Sequence, residues 1–599
     1  MKKFYIALVG LLFVCIGAVG QTTFTYQGIK YGINSQGEAY VAENPNVSGN
    51  ISIPRTVYNG DKSYDVTEIC DWAFDGNQNL KSITIGGYVR KIGNSAFFEC
   101  KALTTVKMGD YMKEIGGSAF AYCSALTDIK LSGSINTIGA YAFSDCVSLE
   151  SINIPLYLND IKEFTFDGCR SLKTVNTKEA AFLKSIGENA FNGCSSLFDL
   201  TLPTTVIRIG DQALGNCSSL DRFDIPESVA SIGKSAFLNC TALSSIVIPS
   251  KISVVDENTF SGCTSLTTVT LPESVTTIGK SAFLNCTALS SIVIPSKISV
   301  VDENTFSGCT SLTTVTLPES VTTIGHEAFS NCSSLDRFDI PESVESIGQS
   351  AFLNCTALSS IVIPSKISVV DENTFSGCTS LTSATLPETM YAIGYKAFFV
   401  CSTLLSIDMP KSMDYLQPMA FMNCSSLSSV TIPSGIKEIS NNAFRGCTSL
   451  TTVTLPESVT TIGQAAFSDC KLTAIEFPES LTNIGSNAFS FCDWLETVTC
   501  TSHIPPVMES FNAFSNAAYD NATLIVPDEA YYDYLQSYGW DMFENTKSAA
   551  IEDVFAETTA VADIFNLQGI IIKRNASNED LHSLPTGIYI VNGKKIVVK

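Results

Sequence analysis

A chain of 599 residues, 45% of them apolar, has ample material for a core, and its net charge of −23 argues against a nucleic-acid partner. Phosphate backbones demand clustered cations, and no Lys/Arg block lies away from the two ends of the chain. The acidity reads as solubility.

Met1–Gly20 opens with Lys2 and Lys3, runs apolar from Phe4 to about Ile16 and closes on Ala18-Val19-Gly20. That is the pattern of a secretory signal peptide, residues 1–20, cleaved near Gly20. A rival reading makes Leu12-Phe13-Val14-Cys15 a lipobox with Cys15 lipidated, but Val14 is bulky where a small residue is preferred. No other stretch approaches the ~20 apolar residues of a membrane span, so the protein is expected to be exported.

Residues 21–68 lack the pattern that follows. Phe24–Ile33, Glu38–Ala42 and Gly49–Pro54 alternate apolar and polar between Gly/Asn breaks, which predicts short strands forming an N-terminal β cap. From 69 to 500 a skeleton I-G-x-x-A-F-x-x-C-x-x-L-x-x-I-x-I-P returns every 23 residues in nineteen copies. Its Phe stands at 74, 97, 120 and so on to 489, with Leu214 filling one gap, and its Cys follows three residues later, with Asn77 in the first copy. A period of this length with L-x-x-I-x-I and an adjacent Asn/Cys position is the mark of a leucine-rich-repeat solenoid, mainly β with short helical or 3₁₀ turns.

In the copy 263–285, Leu266, Val269 and Leu271 are expected to point inward from an extended segment that Pro272 ends, because Pro cannot donate to a ladder. Val275 and Ile278 form a second inward pair, and Ala282-Phe283 starts the short helical turn that closes at Cys286. One copy has too little core to fold alone, and stacking supplies it. Residues 232–274 and 278–320 are identical and 347–389 nearly so, a block duplication that argues against a singular catalytic pocket. Spacing grows to 25 between Cys169 and Cys194, predicting a bulge around Thr177–Phe182, and shrinks to 22 between Cys470 and Cys492.

Beyond Cys492, residues 501–546 read as a C-terminal cap. Thr501–Pro506 is a linker-like break, Thr523–Pro527 a strand, and Asp528 the N-cap of a helix with Tyr531, Tyr534, Leu535 and Tyr538 on one face. Trp72, Trp494 and Trp540 are placed to close the ends of the core. A polar link, roughly 544–560 with 547–560 as the linker proper, precedes an all-β tail, 561–599. Its strand candidates are Val561–Leu567, Ile570–Lys573, Gly587–Val591 and Lys595–Val598, with Asn592-Gly593 as a hairpin turn.

Cysteine is the first candidate for chemistry, since exported proteins favour disulfides. Side chains one strand apart in a parallel stack keep their Cβ atoms ~4.8 Å apart, beyond the usual disulfide value, and Asn77 shares the position, so a buried thiol ladder is favoured over cross-links. The 23-residue spacing holds no C-x-x-C for a metal. His326, His503 and His582 are the only histidines, each in a setting that disfavours a nucleophile–base pair. Asp256-Glu257, Asp302-Glu303 and Asp371-Glu372 could suggest calcium, but they precede Thr-Phe at a turn, where capping of free N–H groups is the favoured reading. No enzyme activity and no cofactor are expected.

What remains is the outward side of the strands. It carries mostly Ser and Thr (Thr268, Thr270, Thr314, Thr316, Thr452 and Thr454 among them), interrupted by charged spots such as Arg222 with Asp224 and Arg337 with Asp339. Thr is simply a good exposed strand residue. The functional alternative is a low-relief sheet that makes multivalent contact with protein or glycan, and those ten residues are its candidate binding positions. No exposed aromatic column is legible to anchor sugars or bases.

The repeat, held from about Val66 to Cys500, resembles that of BspA-like (treponemal-type) leucine-rich-repeat surface proteins. Tyr26–Tyr31 and Tyr64–Ile69 are similar to their N-terminal cap. The tail, with Phe565-Asn-Leu-Gln-Gly569 and Leu584–Lys599, resembles type IX secretion sorting domains. The resemblance implies a bacterial cell-surface, outer-membrane-exterior or secreted protein that adheres to host extracellular protein or glycan or to other bacterial cells, touching the membrane only by attachment. The alternative is a passive spacer or surface-layer component. No ligand residues carry over, because the shared motif is the core and not the binding side.

Overall fold

The structure is a computed structural model describing residues 23–549, 562–566, 570–576, 580, 584–585, 587–591 and 594–598. The expected signal peptide, Cys15, most of the linker, His582 and the Asn592-Gly593 turn lie outside the described residues. The chain forms two compact units, Met1–Ser320 and Val321–Lys599. In both, each repeat makes one turn of a three-sided, mainly β leucine-rich-repeat solenoid.

Two sides are parallel strands. In the first unit Thr268–Thr270 pairs with Ser245–Val247, and the shorter Thr277–Ile278 with Val254–Val255. In the second, Thr452–Thr454 pairs with Ser429–Thr431, and Thr461–Ile462 with Glu438–Ile439. Partners stand 23 residues apart, so equal positions stack and every inward side chain meets its own counterpart. Leu266, Val275 and Ile278 are buried as the pattern requires. Val269 and Leu271 are only half-buried, whereas Ile292 and Ile294 of the next turn, and Val315 and Leu317 of the one after, are buried.

The third side is a run of turns with 3₁₀-type bonds. Ala282 N–H donates to Gly279 O at 3.2 Å, Leu284 to Ser281 at 3.1 Å and Cys286 to Phe283 at 3.2 Å. It cannot wind on as a helix, because Ser281 and Asn285 are left-handed, with φ of 55° and 58°. The alternate N–H groups therefore point along the stack: Ser281 donates to Glu303 O at 2.9 Å, Phe283 to Thr305 O at 3.0 Å and Asn285 to Ser307 O at 2.7 Å. The left-handed position before Cys often carries Asn or Gly. Gly308, with φ of 75°, holds this position on the next turn beneath Asn285 Oδ1; where Asn follows Asn instead, the amides bond along the stack, as Asn239 donates to Asn216 Oδ1 at 3.0 Å.

Inside, the phenylalanines form stacked columns. Phe260 and Phe283 lie 5.6 Å apart at 9°, Phe283 and Phe306 5.5 Å apart at 0°; in the second unit Phe421 and Phe444 lie 5.5 Å apart at 5°. Near Leu214, Phe223 turns in from the strand side and tilts against Phe237 at 5.2 Å. Beside the rings, each ladder cysteine from Cys100 onward is a buried free thiol. Its S–H is a second donor to a carbonyl one turn back that already takes a backbone N–H: Cys286 bonds Phe260 O and Cys447 bonds Phe421 O, both at 3.2 Å. Asn77 caps the column, donating to Val47 O at 2.8 Å and accepting from Asn79 and Leu80 N–H.

Before the repeats, the single expected strand Phe24–Ile33 is a hairpin, Thr23–Tyr26 with Ile29–Ile33, turning at Gln27-Gly28 where both φ are positive. Ala39–Val41 joins it to Lys62–Ile69, and Gly49–Ile53 pairs in parallel with Leu80–Ile85.

After Cys492 the stack continues without its motif. Val507–Met508 pairs with Asn483–Ile484, Thr523–Val526 with Thr497–Cys500, and Asn545–Ser548, read from sequence as polar link, with Thr523–Val526. Phe514 extends the ring column at 5.0 Å from Phe489. Trp540 closes it, fully buried, with its indole N–H on Pro506 O at 2.8 Å. Trp72 and Trp494 do not close the core: they are 37% and 62% exposed, because Trp72 sits at a left-handed turn and Trp494 on the surface near Lys471. The expected helix begins as a 3₁₀ turn, Asp528–Ala530, without a side-chain cap, and runs Tyr531–Gln536 with Tyr534 as its buried tyrosine. A second short helix, Asn516–Asn521, is capped by Ser515. In the tail, Ile571–Ala576, Ala562–Asn566, Gly587–Val591 and Lys594–Val598 form one antiparallel sheet in that order.

Candidate functional site

All ten candidate binding residues face solvent. Thr268 and Thr270 stand on one strand, Thr314 and Thr316 on another, and Arg222 and Asp224 on a turn of the same unit where the strand lapses. The second unit carries Thr452 and Thr454 on a strand, and Arg337 and Asp339 where only a single bridge to Ser360 remains. Phe223 and Phe338, buried between the charged pairs, explain the lapse: a ring between two outward charges displaces the usual Ile or Val.

Many hydroxyls that look available in sequence hold the stack together. Thr267 Oγ1 donates to Ser244 O at 2.9 Å, Thr264 to Thr241 O at 3.4 Å and Ser274 to Ile252 O at 2.7 Å, each one turn back. Such contacts satisfy carbonyls at the rims of short strands. The hydroxyls of Thr268, Thr270, Thr316, Thr452 and Thr454 have no protein partner among the described residues and point to water.

Three apolar positions share this side. In the first unit Val247 and Val293 are 60% and 70% exposed, so from Ser245 to Thr316 a Ser/Val turn alternates with a hydroxyl turn; in the second unit Val362 is 59% exposed. In sequence each is the Val of a repeated S-I-V, one residue after an inward Ile.

Asp256 Oδ1 accepts from Glu257 N–H at 2.8 Å and Asp302 Oδ1 from Glu303 N–H at 2.7 Å, the capping geometry favoured over calcium. Among the described residues no group of three or more His, Cys, Asp or Glu is arranged to hold a metal ion. His326 lies 3.3 Å from Glu327, and His503 is exposed. Burial pushes the ladder thiols up, to about 12 for Cys217 and Cys263, so they stay protonated donors and poor nucleophiles.

Exposed aromatic residues do gather off the strand face, outside the surface on which the sequence shows no aromatic column. In the first unit Tyr88, Tyr111, Tyr157 and Phe182 line one corner, between the long and short strands. Tyr88 and Tyr111 have ring centroids 6.3 Å apart, Tyr157 and Phe182 5.9 Å apart, and the Arg55 guanidinium lies over Tyr88 at 3.4 Å. The bulged copy concealed it by setting Phe182 25 residues after Tyr157.

Residues 61–173, 184–313, 300–428 and 415–529 match the family described as BspA type Leucine rich repeat region. Among solved structures, a leucine rich cell surface protein from Faecalibacterium prausnitzii A2-165 is 26% identical over 61% of this chain and 94% of its own, with a TM-score of 0.39. A leucine-rich repeat protein from Bacteroides ovatus ATCC 8483 is 26% identical over 86% of this chain and 99% of its own, with a TM-score of 0.40. The T. pallidum leucine rich repeat protein is 21% identical over 45% of this chain and 91% of its own, with a TM-score of 0.21. No curated protein matches the chain.

Proposed function

Because the chain belongs to the BspA-type leucine-rich-repeat family, we propose that it is a non-enzymatic, exported surface adhesin that binds host extracellular protein, glycan or other cells along its long-strand side. The observation that carries this reading is the row of exposed groups on successive turns: hydroxyls at Thr268, Thr270, Thr314 and Thr316, all but that of Thr314 without a partner among the described residues, alternating with exposed Val247 and Val293. Repetition of weak hydrogen-bonding and apolar positions favours an extended partner held by avidity. Arg222 with Asp224 in the first unit, and Arg337 with Asp339 in the second, each add a charged spot to the strand face of their own unit.

The signal-peptide pattern of residues 1–20 supports export, and the antiparallel sheet of the tail is compatible with a sorting domain of the type IX kind. No helix among the described residues is long and apolar enough to cross a membrane. The reading is tested by binding of the full chain, and of variants lacking whole repeat blocks, to matrix proteins, mucin and cells. Loss of binding with particular copies is expected. Adhesion that merely tracks length would favour the spacer, and no binding to any of them would end the adhesin reading.

A further inference from the structure

The residue just before the buried corner side chains Val89, Met112, Ile135, Leu158 and Leu183 takes one solvent-facing position on five successive turns. Those residues are Tyr88, Tyr111, Ser134, Tyr157 and Phe182. Tyr111 is 61% exposed, Tyr157 and Phe182 49% each. Elsewhere the same position holds Ser228 and Ser274, which bond back into the stack, so the corner does not need aromatic rings to fold.

Two residues further on runs a parallel row of exposed polar groups: Arg90, Lys113, Asn136, Asn159 and Lys184. Backbone bonds hold it in register, Lys113 N–H on Arg90 O at 2.8 Å, Asn136 on Lys113 O at 3.0 Å and Lys184 on Asn159 O at 2.7 Å. Arg90 pairs with Glu38 at 2.7 Å, while Lys113 and Lys184 make no ion pair among the described residues. In a chain of net charge −23 this row carries no carboxylate of its own. Of the acids close by in the chain, Glu114 lies 4.0 Å from Lys91 and Asp160 accepts from Ser185; Asp110, beside Tyr111, and exposed Glu179, three residues before Phe182, work against the row, the latter beside exposed Lys178.

We propose that this corner binds an anionic polysaccharide laid along the stack, with pyranose C–H faces on the rings and carboxylate or sulfate groups at Lys113 and Lys184. Charge complementarity selects the acidic glycan, and the exposed amides of Asn136 and Asn159 suit sugar hydroxyls. At ~4.8 Å per turn the row spans about 19 Å, enough for several sugars, and the step at Ser134 leaves room for a substituent. A single-stranded nucleic acid would also stack on rings, but the two cations without an ion pair, Lys113 and Lys184, stand three turns or about 14 Å apart, a spacing that suits the sparser charges of a polysaccharide better than a phosphate at every nucleotide. The site is separate from the long-strand side and stands or falls without it.

The test is binding of the full chain to hyaluronan (carboxylates only), heparin (sulfates) and neutral dextran. The corner should bind an anionic polymer and leave dextran unbound; hyaluronan alone would assign a carboxylate ligand, heparin alone a sulfated one. Tyr111→Ser with Tyr157→Ser, which installs the residue already found at 134, and separately Lys113→Gln with Lys184→Gln, should each weaken binding at least tenfold without moving the melting temperature. If the serine pair destabilises the protein, the glutamine pair decides. No binding to either anionic polymer, equal binding to dextran, indifference to the deciding variants, or preference for a single-stranded oligonucleotide overturns the proposal.

Discussion

Replacing Phe283 with alanine tests the ring column where it is most regular. The side chain is fully buried and stacked on both faces, 5.6 Å from Phe260 and 5.5 Å from Phe306. Losing the ring and leaving its cavity costs about 3–5 kcal/mol, of which the two stacked contacts supply about 0.5–1.5 kcal/mol each. In a stack where each turn touches only its neighbours, the loss falls on the two interfaces that Phe283 shares. Phe283→Ala should therefore bring forward urea unfolding of this region and strip hydrogen-exchange protection from the turns carrying Phe260, Phe283 and Phe306, leaving Phe74 to Phe143 protected. Leu214 shows the milder case, a smaller side chain close to the inward-turned Phe223. A loss below about 1 kcal/mol, or protection falling evenly along the chain, would refute the nearest-neighbour reasoning.

Alkaline titration should unfold the protein. Thiols such as Cys217, Cys263 and Cys424 are raised from an ordinary 9.0 to about 12 by burial, so the unfolded chain gives up these protons first. Their contribution is whole below about pH 9 and lost as pH rises toward about 12, and melting temperatures followed by circular dichroism should fall through that window; constancy there would contradict the ladder. Asn77→Ala removes the cap of the thiol column and leaves Val47 O unpaired, costing about 1–3 kcal/mol, read as faster amide exchange across Gly49–Ile53 with the later repeats unchanged. Thr268→Lys with Thr314→Lys touches only exposed hydroxyls and should shift stability by less than about 0.5 kcal/mol while weakening adhesion in the plate assay; unaltered adhesion would move the binding surface elsewhere.

The period made the core readable, because a 23-residue repeat forces equal positions to stack and Phe283, Cys286 and Leu289 can each meet only their own kind. It also made Asn77 readable, since an amide at a thiol position points to backbone bonding and not to a bridge. The left-handed residues were hidden because Ser281, Glu327, Lys396 and Phe491 share no composition; neighbouring turns impose the conformation through cross-turn bonds that no single copy displays. The terminal layers departed furthest from expectation: Val507–Met508 and Asn545–Ser548 pair by backbone alone, without the motif. On the surface, S-I-V disclosed its buried Ile but not that the Val beside it faces water, and the aromatic corner was lost to one lengthened copy.

Thiol counting decides whether close packing or cross-linking holds the turns together. Twenty cysteines among the described residues are free, and Cys70 alone of them is partly exposed. Titration with a thiol reagent, without reductant, should find little beyond Cys70 in the native exported protein and all twenty after denaturation. A denatured count falling short in pairs would mean disulfides between turns, and the buried thiol ladder would be wrong.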